Sequence, residues 1–207
     1  FAGRLRTLRL HLQPELDIVT YLPPARTVSE ADAWSTAILR AGTYAPSGGN
    51  NQSCHFLVIS DRALICDLVR IAEDIFAQMQ VVEGMYPSLA NTIRRAQKGR
   101  FDFTYGAPVL VIVANKAGYG NAMADSAMAL ENMFLQAADL GVASCYINQF
   151  HWLAEDAAIV RALRSIGLAE DETVCAGGVF GYSDQKLPPL KRFGNTITYV
   201  GQEKEEL

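Results

Sequence analysis

Seven consecutive residues constrain this fold more than any others. Pro108–Ala114, reading PVLVIVA, is apolar at every position. A strand with one face in water alternates apolar and polar side chains, whereas an unbroken apolar run marks a strand covered on both faces. The chain must therefore supply helices for both sides of a sheet. Three further runs read as strands: His55–Ser60 (HFLVIS), Ala143–Asn148 and Thr173–Phe180.

Helical stripes lie between these runs. Trp34, Ala37, Ile38 and Ala41 fall at i, i+3, i+4 and i+7, behind Ser29 as a candidate N-cap with Asp32 in a capping-box position. Leu64, Leu68, Ile71, Ile75 and Met79 form a second stripe between Asp61 and about Val82, and a more exposed helix is expected around Ser88–Lys98. In Met123–Leu140 the stripe Met123, Ala127, Leu130, Phe134 and Ala137 is widened by Met128, Leu135 and Ala138. Its polar residues keep to a strip through Asp125, Asn132, Gln136 and Asp139, so this helix is expected to be nearly enclosed by protein. Gly141 follows at a C′ position where positive φ is expected. A last helix, Ala154–Ile166, ends at Gly167. Four apolar strands interleaved with helices give α/β or α+β, and periodicity does not choose between them.

Composition narrows the function. With 207 residues, 50% of them hydrophobic, the chain has ample material for a core and is not disordered. No apolar run reaches the roughly 18–20 residues of a membrane span. A net charge of −4 argues against a nucleic-acid-binding surface. Neither repeats nor a Pro/Gly/Ser-rich linker divides the chain. We expect a single domain over 1–207, with an irregular segment over 1–28, which holds Pro14, Pro23 and Pro24, and a polar C-terminal extension over 183–207. The chain opens on Phe1, so residues upstream of it are expected. The start, with Arg4, Arg6, Arg9 and His11, lacks the apolar core of a secretory signal, and a cytoplasmic location is expected. Cys54, Cys66, Cys145 and Cys175 lack the close spacing of zinc sites or redox dithiols and read as core thiols.

The chain contains no GxxxxGK[ST] loop and no GxSxG elbow. Gly118-Tyr119-Gly120 begins like a dinucleotide fingerprint, but Met123 stands where the third glycine belongs. What remains is Ala45-Pro46-Ser47-Gly48-Gly49-Asn50-Asn51-Gln52. Its glycines permit close backbone approach, and its side chains offer donors and acceptors without charge, which suits a planar heterocycle bearing carbonyls and ring nitrogens. Taken alone it is equally well an ordinary helix-to-strand turn.

APSGGNNQ, preceded by a helix opening at VSE and followed by HFLVIS, resembles the flavin-binding motif of the nitroreductase family. The blocks YGAPVLVIVAN (105–115), DSAMALENMFLQAADLGVASCYINQF (125–150) and FGY (180–182) with LPPLKR (187–192) fit the same family in the same order. The resemblance implies a homodimeric α+β fold with a central, mostly antiparallel sheet flanked by helices, and FMN in two clefts at the dimer interface. By that resemblance Pro46, Ser47, Gly48 and Asn50 line the flavin and Gln52 supports their loop. Ile147, Asn148 and Gln149 bring backbone amides to the flavin N5/O4 edge, and Lys191 and Arg192 approach the phosphate. It implies a ping-pong oxidoreductase that takes hydride from NADH or NADPH through FMN to a nitroaromatic, quinone or similar small acceptor. No side chain is then expected to be catalytic, because the flavin carries the chemistry. The alternative is a flavin-binding protein of the same fold with little turnover, or with specialised flavin or halogenated-aromatic chemistry.

Two departures stand out. The family continues N-x-Q-P-W, but Ser53 and Cys54 fill the last two positions here. Its arginine-rich N-terminal phosphate motif is matched only by Leu5–Arg9, which makes Arg6 and Arg9 candidate phosphate ligands after an insertion of about ten residues. His151 and Trp152 could floor a substrate pocket or cap the next helix, and Tyr86, Phe101 and Phe103 could form a lid or pack in the core.

Overall fold

The computed structural model describes residues 28–99, 101–183, 193–198 and 200. The residues up to 183 belong to one compact unit, while 193–198 and 200 belong to a second and contain neither helix nor strand. In chain order the elements are α1 (Val28–Thr43), a 3₁₀ turn (Gly48–Asn50), β1 (His55–Ile59), α2 (Arg62–Gln78), α3 (Pro87–Gln97), β2 (Val109–Lys116), α4 (Ala122–Asp139), β3 (Ala143–Ile147), α5 (Gln149–Trp152), α6 (Ala157–Arg164) and β4 (Glu172–Gly181). The strands form one sheet in the order β1-β2-β4-β3, and all three pairings are antiparallel. The architecture is therefore α+β, the choice that periodicity left open.

The apolar run of β2 does what its composition requires. Leu110, Ile112 and Ala114 enter one core with α2, α3, α5 and α6, and Val109, Val111 and Val113 enter another with α1 and α4. Every residue from Val109 to Asn115 is buried. The neighbouring strand β4 changes phase along its length. Val113 pairs with Ala176 and Ala114 with Val174, which leaves Cys175 as an extra residue in a β-bulge. Val174 and Ala176, two positions apart, consequently enter opposite cores. Close packing of α4 on β4 depends on Gly178, where a Cβ would stand 3.1 Å from side-chain atoms of both Leu130 and Phe134.

All four expected strands are present to within a few residues. The helices depart from expectation in three places, and the first is α1, which starts at Val28 and so holds Ser29 within the helix instead of at its N-cap. The face that α4 buries is Ala122, Asp125, Ser126, Ala129, Leu130, Met133, Phe134 and Ala137. Met123, Met128, Leu135 and Leu140 are exposed within this chain, so α4 is not enclosed by it. Of the expected stripe, Leu130, Phe134 and Ala137 are buried, while Met123 and Ala127 are exposed. The helix expected over Ala154–Ile166 is present as the shorter α6, and an unexpected α5 precedes it. α5 is four residues long, too short to leave a periodic trace, and α6 starts only after Asp156, whose carboxylate accepts from the Ala158 and Ile159 amides. Asp61 caps α2 in the same way. Gly141 has the expected positive φ, 68°.

The double burial of β2 makes its interior intolerant of truncation. Ile112 is 0% exposed, so Ile112→Ala is expected to lower unfolding free energy in urea by roughly 2–5 kcal/mol. Val58→Ala, at a position 42% exposed on edge strand β1, is expected to stay within about 0.5 kcal/mol.

Candidate functional site

The uncharged loop that follows α1 folds as a tight, internally bonded turn. Asn50 N–H donates to Ser47 O at 2.9 Å, and Asn51 N–H donates to Gly48 O at 3.2 Å. The Ser47 hydroxyl accepts from Gln52 N–H at 2.9 Å. Asn50 and Gln52 take left-handed backbone angles, φ 56° and 51°. Asparagine visits that region readily, but glutamine there carries strain of order 1 kcal/mol that its surroundings must offset. Pro46, Asn50 and Gln52 are exposed, while Ser47 and Gly48 are half-buried. A cavity of about 230 Å³ opens beside the loop, lined by Gly42, Ala45, Pro46, Ser47, Gln52 and Asp125 among others.

Beneath the loop lies a polar seam that the sequence reading missed. Asp125, on the polar strip of its helix, is 2% exposed, and its Oδ1 accepts from Gly48 N–H at 3.0 Å. Tyr119 Oη stands 3.1 Å from Gly48 O. Asn115 is fully buried and donates from Nδ2 to Cys54 Sγ at 3.6 Å, and Cys54 Sγ lies 3.9 Å from Ser126 Oγ. Burial pushes the Cys54, Cys145 and Cys175 thiols above their ordinary pKa, so none is poised as a nucleophile at neutral pH. Cys145 and Cys175 match the reading as core thiols. Cys54 is half-buried and Cys66 is exposed, which corrects it for those two.

The segment at the end of β3 is the second group of expected flavin contacts. Ile147 is buried, Asn148 precedes α5 without a side-chain capping bond, and Gln149 Nε2 donates to Thr92 Oγ1 at 3.4 Å. Gln149 Oε1 is buried and has no hydrogen-bond partner among the described residues. His151 donates from Nδ1 to Val174 O at 3.0 Å, and the Trp152 ring meets Phe76 and Tyr86 edge-on. Phe101 and Phe103 are core residues, not parts of a lid, whereas Tyr86 is exposed.

Strand register places these two groups. His55 at the start of β1 pairs with Ala114, and Ala114 pairs with Val174 near the start of β4. Ile147 at the end of β3 pairs with Gly177. Loop 45–52 and segment 147–149 thus leave the same end of the sheet from its two opposite edges, three strand spacings or roughly 14 Å apart. Arg6, Arg9, Lys191 and Arg192 lie outside the described residues.

Comparison with known proteins agrees with this geometry. The model of the Nitroreductase family matches residues 32–182, and the chain belongs to that family. A nitroreductase with bound FMN from Bacteroides fragilis NCTC 9343 is 30% identical, with 89% of this chain and 94% of that one covered and a TM-score of 0.77. A nitroreductase with bound FMN from Desulfitobacterium hafniense DCB-2 is 23% identical over 90% of this chain and 92% of its own, with a TM-score of 0.68. An iodotyrosine deiodinase bound to FMN and 3-iodo-L-tyrosine shares the fold at 16% identity and a TM-score of 0.58, with coverage of 90% and 93%. No curated protein matches the chain. Among the described residues no helix is long and apolar enough to cross a membrane.

At the site's end of the sheet, His55 Nδ1 and Glu172 Oε2 are 2.8 Å apart and tie β1 to β4 across β2. Burial raises the Glu172 pKa, but hydrogen bonds from His55 and the Ala169 amide outweigh it and hold the carboxyl below its ordinary value. A carboxylate whose pKa is depressed by folding stabilises the fold above its unfolded pKa, near 4.3, and that contribution fades as pH falls through the folded value. Glu172→Gln is therefore expected to lower the urea midpoint at pH 7, with the gap to the unmodified protein narrowing towards pH 3. An equal gap at both pH values would show that the charge of Glu172 is not responsible.

Proposed function

We propose that the protein is an FMN-dependent oxidoreductase that accepts reducing equivalents from NADH or NADPH and passes them to a nitroaromatic, quinone or similar small acceptor. The observation that carries this reading is the Ala45–Gln52 turn. It is uncharged and rich in donors and acceptors, holds Asn50 and Gln52 left-handed, and sits beside a cavity in a chain of the Nitroreductase family. The residues fit an isoalloxazine. A Cβ placed at Gly49 would meet no described residue within 4 Å, and among the described residues Gln149 Oε1 is a buried acceptor without a donor.

FMN, when bound, supplies the two-electron chemistry. The chain's tasks are then to bind and orient. Pro46, Ser47, Gly48 and Asn50 form a wall for the ring, and Gln52 closes their turn through its amide to Ser47. Ile147, Asn148 and Gln149 offer backbone amides to the N5/O4 edge. Lys191 and Arg192, with Arg6 and Arg9, supply positive charge for the phosphate in a chain of net charge −4.

We infer further that the working unit is a homodimer. The cavity beside the turn, about 230 Å³, is below the roughly 300–1,000 Å³ of pockets that enclose a small organic ligand. The two expected sets of flavin contacts emerge at opposite sheet edges. Met128 and Leu135, seven positions apart on the outward face of α4, leave apolar surface for a second copy to cover.

The purified protein is expected to show flavin absorption, and anaerobic NADH or NADPH is expected to bleach it. A yellow protein that neither cofactor bleaches would favour the alternative, a flavoprotein with little reductase turnover. A colourless protein that cannot be reconstituted with FMN would overturn the reading. Lys191→Ala with Arg192→Ala is expected to weaken FMN binding about tenfold or more while leaving riboflavin binding nearly unchanged. Leu135→Glu is expected to shift sedimentation from dimer to monomer and to lower FMN occupancy with it.

A further inference from the structure

The Gly118-Tyr119-Gly120 segment, which begins like a dinucleotide fingerprint and fails as one, has another use in this fold. It carries Tyr119 to the underside of the Ala45–Gln52 turn. Tyr119 Oη lies 3.1 Å from both Gly48 O and Asp125 Oδ2, and its single hydrogen is donated to one or the other. The other oxygen of the same carboxylate accepts from Gly48 N–H at 3.0 Å. The peptide groups on both sides of Gly48 are thus gripped by two side chains that come from a different part of the chain. Among the described residues, these are the hydrogen bonds that connect residues 46–52 to the rest of the fold; the others lie within the turn.

The grip is shaped as well as bonded. A Cβ at Gly48 would stand 2.1 Å from Asn121 Nδ2 and 2.7 Å from Tyr119 Oη, so a larger residue here would require both side chains to shift. Asp125 is 2% exposed and forms no ion pair with any described residue. Its charge is offset by the two hydrogen bonds and by its place in the first turn of the 18-residue α4, where the helix dipole favours an anion. A buried carboxylate with no cation is a poor device for stability alone. It is well suited to holding a backbone amide at one position.

We propose that Asp125 and Tyr119 are positioning residues for cofactor binding. They lock Gly48, and through it the left-handed Asn50 and Gln52, into the conformation that receives the flavin before it arrives. The proposal rests on the FMN reading above and adds to it two residues that touch no cofactor. If the turn is preorganised, flavin binding does not have to supply the ordering of residues 47–52. If it is not, the turn relaxes and affinity falls.

The test uses the full-length protein stripped of flavin, with Tyr119→Phe and Asp125→Asn. Tyr119→Phe removes one hydroxyl from a half-buried ring and keeps the fold testable even if Asp125→Asn misfolds. Three quantities are read: FMN affinity by quenching of flavin fluorescence, thermal midpoint, and amide exchange of residues 47–52 against residues 110–113 in the sheet. Tyr119→Phe is expected to weaken FMN binding about fivefold and Asp125→Asn about tenfold or more, as loss of neutral and charge-assisted hydrogen bonds would. Exchange in the turn should rise several-fold while the sheet amides stay protected. The double variant should be little worse than Asp125→Asn alone, because both act through Gly48. Unchanged FMN affinity in both variants overturns the proposal, as does a loss of affinity that accompanies lowered sheet protection and leaves the turn's exchange unaltered. If the unmodified protein binds no FMN, the functional reading itself falls and the positioning role with it.

Discussion

The structure depends on the burial of β2 from both sides. A central strand buried at every position from Val109 to Asn115 demands two helical layers, and the chain provides them as two separate cores. That demand fixes where everything else can go. α1 and α4 must lie on one face, which brings the C-terminal end of α1, the loop after it and the first turn of α4 to the same end of the sheet. α2, α3, α5 and α6 cover the other face, and α5 begins where β3 leaves off. Thus the two segments read as flavin contacts are placed by the core, at the ends of packed elements, and not by contacts with one another.

What the sequence disclosed follows from physics that is local. Strands that are apolar runs were legible, since a run bounded by turn residues has few other readings. The loop at 45–52 was legible as a polar, glycine-bearing loop, and its family likeness rested on residues adjacent in sequence. The inner face of α4 was not. Met123, Met128 and Leu135 are as apolar as Leu130 and Phe134, and hydrophobicity does not say whether a residue faces its own core or another surface. Asp125 was missed for the opposite reason. A carboxylate is normally solvated, and the amide that satisfies it lies 77 positions away along the chain. The neighbouring Gly118-Tyr119-Gly120 marks a turn but does not say which backbone amide the carboxylate will meet. Strand order and register were also invisible, because pairing partners are chosen across the whole chain.

The polar atoms at this end of the molecule form a layer of three hydrogen-bonded groups. Asn115, Ser126, Cys54 and Asp125 lie under the loop, and His55 with Glu172 closes its flank. Such a layer is less tolerant than an apolar core of equal size, since each member removed strands a partner away from water. Its position beneath a loop of strained residues is consistent with a rigid support for a site whose reactive groups come from a bound molecule.

The bulge at Cys175 gives the sheet a property that neither half of β4 has alone. Upstream of it, odd and even positions address one pair of layers; downstream the assignment is exchanged. The strand therefore works as two segments joined by a half-period phase shift. Losing or gaining a single residue there would turn one whole segment inside out, so change in this strand should proceed by substitution while length variation is confined to the loops.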